Sequence, residues 1–144
     1  MKKHTDNIDI SIIVTLHTEG ILAYKTLRNL EQSVKRAIDA KLRCEIVIGL
    51  DRAEAGTIRV ATQFKDNSTD IACTVIYSDY GDLGLNRNNL ITHSKGEYIL
   101  IHDGDDFFTQ NFLVEAHKLA SREKSEAVYV AQFLINFDAQ HYMS

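Results

Sequence analysis

Asp103-Gly104-Asp105-Asp106 is where this chain concentrates chemistry, with three carboxylates inside four residues. They follow Tyr98 to His102, a run that reads as a buried strand. Side chains of an extended chain alternate sides, so Asp103 and Asp105 leave that strand pointing the same way. Like charges this close repel unless something positive sits between them. A hard divalent cation bound through oxygen suits the gap, and Gly104 keeps the approach open to a bulky ligand. The same residues also describe an acidic surface turn, and the elements around them have to decide.

Asp9 to His17 is β-branched and almost continuously apolar at its centre, as expected for a strand covered on both faces. After the break at Thr18-Glu19-Gly20, Leu27, Leu30, Val34 and Ile38 recur at helical spacing, which predicts a long amphipathic helix from Ile21 to Lys41. Cys44 to Leu50 reads as a second strand ending at Asp51. Ala53 to Lys65 follows as a helix, Ile71 to Ser78 as a third strand, and Asp79 to Leu85 as a polar loop. A short helix from about Asn86 to Ser94 leads to the fourth strand, with Gly96 placed to end the helix. Phe107-Phe108 reads as a hydrophobic anchor, Asn111 to Lys124 as a helix, and Ala127 to Phe137 as a fifth strand. Residues 1–8 are expected to be frayed, 9–137 to form one domain, and 138–144 to be a patternless tail.

Strands alternating with helices predict an α/β fold of three αβα layers around a mostly parallel sheet. Ligands of such sheets bind beyond the carboxyl ends of the strands. Here those ends carry Thr15 and His17, Asp51, the Asp79 loop, and the acidic cluster, so polar chemistry from separate strands converges on one crevice.

The 144 residues suffice for one domain with a real core. A net charge of -4 argues against a nucleic-acid partner. No apolar run is long enough to span a bilayer, and the polar first residues do not form a signal peptide. Cys44 and Cys73 lie in apolar runs without metal-ligand spacing, as reduced core residues of a cytoplasmic protein would.

The turn after the first strand, His17-Thr18-Glu19-Gly20, lacks the glycine fingerprint of a dinucleotide-binding fold, and no P-loop is present. It also lacks the Gly-rich, Arg-containing loop of a sugar nucleotidyltransferase, and the acidic cluster does not continue as an EF-hand loop. ISIIVTLHTEG, Asp51 after the second strand, NRNNLITHSKGEYILIHDGDD, and the aromatic pair with its following helix stand in an order that resembles the family 2 inverting glycosyltransferases of the GT-A fold. The third block is the specific one, similar to that family's Ala-Arg-Asn helix, Gly-Glu-Tyr-Ile strand and Asp-x-Asp motif. Departures are visible. Asp51-Arg52-Ala53-Glu54 keeps one of two commonly adjacent acids, Leu90 stands where the helix usually has Gly, and His102 stands where an apolar residue is common.

The resemblance implies a nucleotide-diphosphate sugar donor, most simply a UDP-sugar, transferred with inversion and with help from Mg²⁺ or Mn²⁺. Asp51 would then accept the imide N–H of uracil, a task for an acceptor-only carboxylate; it could equally cap the helix beginning near Ala53. Thr15, His17 and Glu19 fall on the donor-binding turn, and His17 is either a wall of the site or a structural histidine. Arg87, in the first turn of its predicted helix where the macrodipole disfavours a cation, would face the nucleotide or its diphosphate; an exposed surface arginine is the alternative. Asp103 and Asp105 would hold the metal, with Asp105 the direct ligand and Asp103 touching the ribose or a metal-bound water. Asp106 assists or caps the next helix. His102 faces away from Asp103 and packs, while His4, His93 and His117 are solvated.

An inverting transfer needs a general base for the acceptor hydroxyl. In the resembling family it lies well downstream, and Glu115 and Asp138 carry no motif. The expectation is therefore the donor-binding half of a larger, truncated transferase, cytoplasmic or peripheral to the inner face of a membrane, with an unknown acceptor. A non-catalytic nucleotide-binding or interaction module of the same fold is the alternative.

Overall fold

The structure is a computed structural model, and it describes residues 7–124 and 126. The elements run β1 (Ile8–Leu16), α1 (Ile21–Asp39), β2 (Cys44–Asp51), α2 (Ala55–Asn67), β3 (Ala72–Ser78), α3 (Leu83–His93), β4 (Gly96–Asp103) and α4 (Phe112–Glu123). The predicted fifth strand and tail lie outside the described residues.

The four strands form one sheet in the order β3-β2-β1-β4, and every neighbouring pair is parallel. Chain order therefore reverses at the β1–β4 boundary, and that is where such a sheet opens a crevice. One face carries Ile10, Ile12, Val14 and Leu16 of β1 with Ile46, Ile48 and Leu50 of β2. They pack against Leu27, Leu30 and Val34 of α1, Ala61 and Phe64 of α2, and Leu113 of α4. The opposite face is thinner, with Ile13, Val47 and Leu90 of α3. Helices on both faces make the three layers expected.

Leu90 occupies its place because the sheet yields to it. A Cβ on Gly49 would lie 2.7 Å from both the Asn86 Oδ1 and a Leu90 methyl, so the helix leucine is matched by a strand glycine. The two departures of helix and sheet from bulk thus cancel.

Several boundaries differ from the sequence expectation by a few residues, and at α3 the cause is visible. Helix α3 begins at Leu83, because the Asp82 carboxylate accepts from Leu85 N at 2.8 Å and caps it. Gly96 does not end that helix; Ser94 does, in an extended conformation, and Gly96 opens β4. Glycine is needed at 96 for close approach, since a Cβ there would sit 2.5 Å from Ser11 N. Around it a buried network fixes the α3–β4 junction. Ser11 Oγ donates to Glu45 Oε1 at 2.6 Å, Lys95 N donates to the same oxygen at 2.7 Å, and Gly96 N donates to Ser11 Oγ at 2.7 Å.

Gly96→Ala should therefore destabilise the fold by about 1–3 kcal/mol through overpacking. Gly56→Ala, at a helical position with nothing within 4 Å, should be neutral or stabilise by about 0.5–1 kcal/mol. Urea unfolding of both variants checks the contrast, and equal midpoints would contradict it.

Candidate functional site

The register places the functional side chains before any of them is considered singly. Thr15 of β1 is the partner of Asp103 on β4 and of Gly49 on β2, and Asp51 is the partner of Ser78 on β3. All these lie at the carboxyl ends of their strands, on or beside the α3 face. There a cavity of about 420 Å³ opens, lined by Thr15, His17, Glu19, Asp51, Arg52, Gly81, Asp82, Leu83 and Asn86 among others. Its size is that of a small-molecule site.

Asp103 stands beside Thr15 at the end of β4. Its Oδ1 accepts from Arg87 at 2.5 Å and from Thr15 Oγ1 at 3.4 Å. Because α3 starts at Leu83, Arg87 lies in its second turn rather than its first, so the macrodipole does not explain its placement; its reach to Asp103 does. It is not the freely exposed arginine of the alternative either, since its side chain is 28% exposed and its Nε is buried without a partner among the described residues.

Asp105 is exposed in the turn beyond β4. Asp106 folds back on that turn, its N donating to Asp103 O at 3.1 Å and its Oδ2 accepting from Asp103 N at 3.3 Å. It does not cap α4, whose N-cap is Asn111. Among the described residues no group of three His, Cys, Asp or Glu side chains converges as a metal cluster. The donor set nonetheless suits a hard cation. Both side-chain hydrogen bonds to Asp103 fall on Oδ1, so Oδ2 and the Asp105 carboxylate remain as oxygen donors. Magnesium-type ions are commonly held by one or two carboxylates and completed by substrate phosphates.

Asp51 is buried and anchors a turn. Ser78 Oγ donates to its Oδ1 at 3.1 Å, Tyr80 N to the same oxygen at 2.6 Å, and Asp82 N to Oδ2 at 3.3 Å. Burial alone would push this carboxyl up; the donors from Tyr80, Gly81, Ser78 and Asp82 outweigh it and hold its pKa below the ordinary value. It does not cap α2, whose N-cap is Glu54. His17 is exposed on the cavity, and its Nδ1 bonds Asp51 O at 2.9 Å. Glu19 accepts from His17 N at 2.5 Å and so shapes the same turn.

On the opposite face His102 is fully buried, as its alternation with Asp103 required. Its Nδ1 bonds Asp103 O at 2.7 Å and its ring meets Phe108 edge-on at 4.6 Å. Burial lowers its pKa against the pull of the nearby acids, which favours a neutral packing ring. Phe108 stacks in turn on Phe112 at 4.2 Å, while Phe107 is 43% exposed. His117 is half-buried against Tyr98 rather than solvated, His93 is exposed as expected, and His4 lies outside the described residues. Both cysteines are free, with burial pushing the Cys44 thiol up to about 12 and Cys73 to about 11.

Sequence reasoning missed the device that holds the turn after β4. Thr26 Oγ1 donates to Gly104 O at 2.6 Å, and Asn29 brackets Phe108, donating to its O at 3.0 Å and accepting from its N at 2.8 Å. Ser33 Oγ donates to Thr109 O at 3.2 Å and Arg36 Nε to Asn111 Oδ1 at 3.1 Å. The signal was available: 26, 29, 33 and 36 form a polar stripe at helical spacing, beside the apolar one.

The sequence profile of Glycosyl transferase family 2 matches residues 11–144. The chain belongs to that family. Two solved glycosyltransferases share its fold. One is the mannosyltransferase PcManGT from Pyrobaculum calidifontis, in complex with GDP-Man and Mn²⁺, at TM-score 0.70 and 22% identity over 81% of this chain and 33% of that one. The other is S. aureus TarS 1-349 in complex with UDP-GlcNAc, at TM-score 0.68 and 17% identity over 87% of this chain and 37% of that one. A 4-diphosphocytidyl-2C-methyl-D-erythritol synthase from Anaerococcus prevotii is similar at TM-score 0.55 and 19% identity, covering 81% of this chain and 52% of that chain. No curated protein matches the chain. The chain spans about a third of the length of the two glycosyltransferases.

Asp51→Asn tests the anchor. The amide presents N–H groups to backbone donors, so the variant should lose about 1–3 kcal/mol at neutral pH. Since the folded-state pKa is depressed, the contribution is complete above the unfolded value of about 3.9 and disappears as pH falls through the folded one. Urea midpoints of wild type and variant should converge only in that acid range; a constant gap from pH 7 down to strong acid would contradict the assignment.

Proposed function

We propose that this family 2 domain is the donor-binding half of a glycosyltransferase that moves a sugar from a nucleotide-diphosphate sugar, a UDP-sugar by preference, to an acceptor with inversion. The observation that carries it is the junction of Thr15, Asp103 and Arg87 at the β1–β4 switch point, with Asp105 one turn further on. Thr15, the partner of Asp103, also lines the cavity of about 420 Å³, so the junction stands one residue away from it. The complexes of the two neighbouring folds with UDP-GlcNAc and with GDP-Man and Mn²⁺ support the donor class.

In this proposal the nucleoside lies toward Asp51 and His17, with the base N–H directed at the Asp51 carboxylate. The diphosphate lies toward Asp103 and Asp105, with Arg87 beside it. Mg²⁺ or Mn²⁺ held by Asp105 and Asp103 would neutralise charge on the departing nucleoside diphosphate. Thr15 and Arg87 orient Asp103, and Thr26 and Asn29 hold the turn that carries Asp105. Glu115 is exposed on the first turn of α4, and the base that deprotonates the acceptor hydroxyl is not assigned to it. No helix among the described residues is long and apolar enough to cross a membrane. A cytoplasmic site of action, where free thiols persist, belongs to the same proposal.

UDP at about a hundredfold above its dissociation constant should stabilise the fold by about 2.7 kcal/mol, seen as a rise in unfolding temperature, and by more with Mn²⁺. Asp105→Asn should keep the metal-free rise and lose the increment due to Mn²⁺. Absence of any response to UDP, GDP or CDP, with and without metal, would sink the donor-site proposal.

A further inference from the structure

Arg52 replaces an acid in the family's usual turn, and no role described so far uses it. Four observations concern it. Its φ of 47 puts an arginine in the left-handed region, which disfavours any side chain with a Cβ. Its backbone N is fixed to Ser78 O at 3.1 Å. Its Nε donates to Asp79 Oδ1 at 2.6 Å. Its guanidinium lies over Gly81, itself at φ 63, where any Cβ would collide with the guanidinium. The pair is solvent-screened, with the Arg52 and Asp79 side chains 56% and 86% exposed, but it sets the guanidinium on the lining of the cavity beside Asp82, Leu83 and Asn86.

Its position along the crevice says what it meets. Arg52 follows β2, while Asp103 and Asp105 follow β4, and β1 lies between them. Two strand spacings of about 4.8 Å therefore separate the guanidinium's strand from the carboxylates' strand. In the donor-site proposal, on which this inference rests, the diphosphate occupies the β4 end, which leaves the nucleoside at the Arg52 end. A guanidinium is planar and weakly hydrated, and it stacks on aromatic faces as an ammonium does not. Every nucleobase offers such a face.

We propose that Arg52 is a donor-binding residue whose guanidinium, backed by Gly81 and pinned by Asp79, forms a flat wall on which the nucleobase stacks. The strained backbone is then retained for the ligand rather than for the fold.

Arg52→Gly and Arg52→Lys test it by calorimetric titration with UDP, and with inorganic pyrophosphate plus Mn²⁺. Glycine accepts positive φ freely, so Arg52→Gly should unfold at the same temperature as wild type or higher, yet bind UDP about five- to tenfold more weakly. Arg52→Lys should be nearly as weak, because it restores charge without a plane. Pyrophosphate binding should be unchanged in both. Should Arg52→Gly unfold early, Asp79→Asn serves instead, loosening the guanidinium and weakening UDP about twofold. Unchanged UDP affinity in all three variants overturns the stacking role, as does full rescue by lysine or an equal loss of pyrophosphate. A wild type that binds no nucleoside diphosphate overturns the donor-site proposal and this one with it; wild-type binding with an indifferent Arg52 overturns this one alone.

Discussion

Like charges crowd the end of β4, and the contact that orders them is the hydrogen-bonded ion pair of Arg87 with Asp103, joined by Thr15 at the same oxygen. Exposed at 28% and 42%, the two side chains make a screened pair of modest energetic worth; its importance is geometric. It ties α3, the one helix on its face of the sheet among the described residues, to the boundary where strand order reverses. Much else follows from seating α3 there. Leu90 fits over Gly49, Asp82 both caps the helix and reaches Asp51 through its N–H, and Asn86 comes to line the cavity.

The other face answers with a second set of restraints. Thr26 and Asn29 of α1 hold the turn after Asp103 by its backbone, and His102 with Phe108 fills the space beneath. Asp103 and Asp105 thus stand on a turn fastened from below by a helix and from above by a guanidinium. Preorganisation of this kind lowers the ordering that a ligand must supply.

The four described strands and the place of the acidic cluster were legible because β-branched runs and the alternation of an extended chain are local signals, whereas the lateral order of the strands is set by tertiary packing. Asp103 could be placed opposite His102 by counting alone. The start of α3 was not legible, since Asp82-Leu83-Gly84 reads as loop until the cap from Asp82 to Leu85 N is seen. Gly96 looked like a helix terminator, and only the approach of Ser11 on a strand far away in sequence shows why it must be glycine. The α1 stripe was visible as a pattern, but polar residues on a helix usually face water, and their partners lie more than seventy positions away. Arg52 registered as a departure; its restraint by Asp79 and Gly81 is a tertiary fact.

The central claim is that the carboxylates of β4 and the cavity beside Asp51 form one site for a nucleoside diphosphate and a metal. Linkage makes this measurable, because two ligands that are coupled change each other's affinity by the same factor. Calorimetric titration of UDP at a series of Mn²⁺ concentrations, and of Mn²⁺ at a series of UDP concentrations, gives both factors after correction for the metal–nucleotide equilibrium in solution. The account predicts equal factors above one in wild type that collapse to one in Asp103→Asn and Asp105→Asn. UDP affinity indifferent to Mn²⁺, or coupling that survives both substitutions, would contradict it.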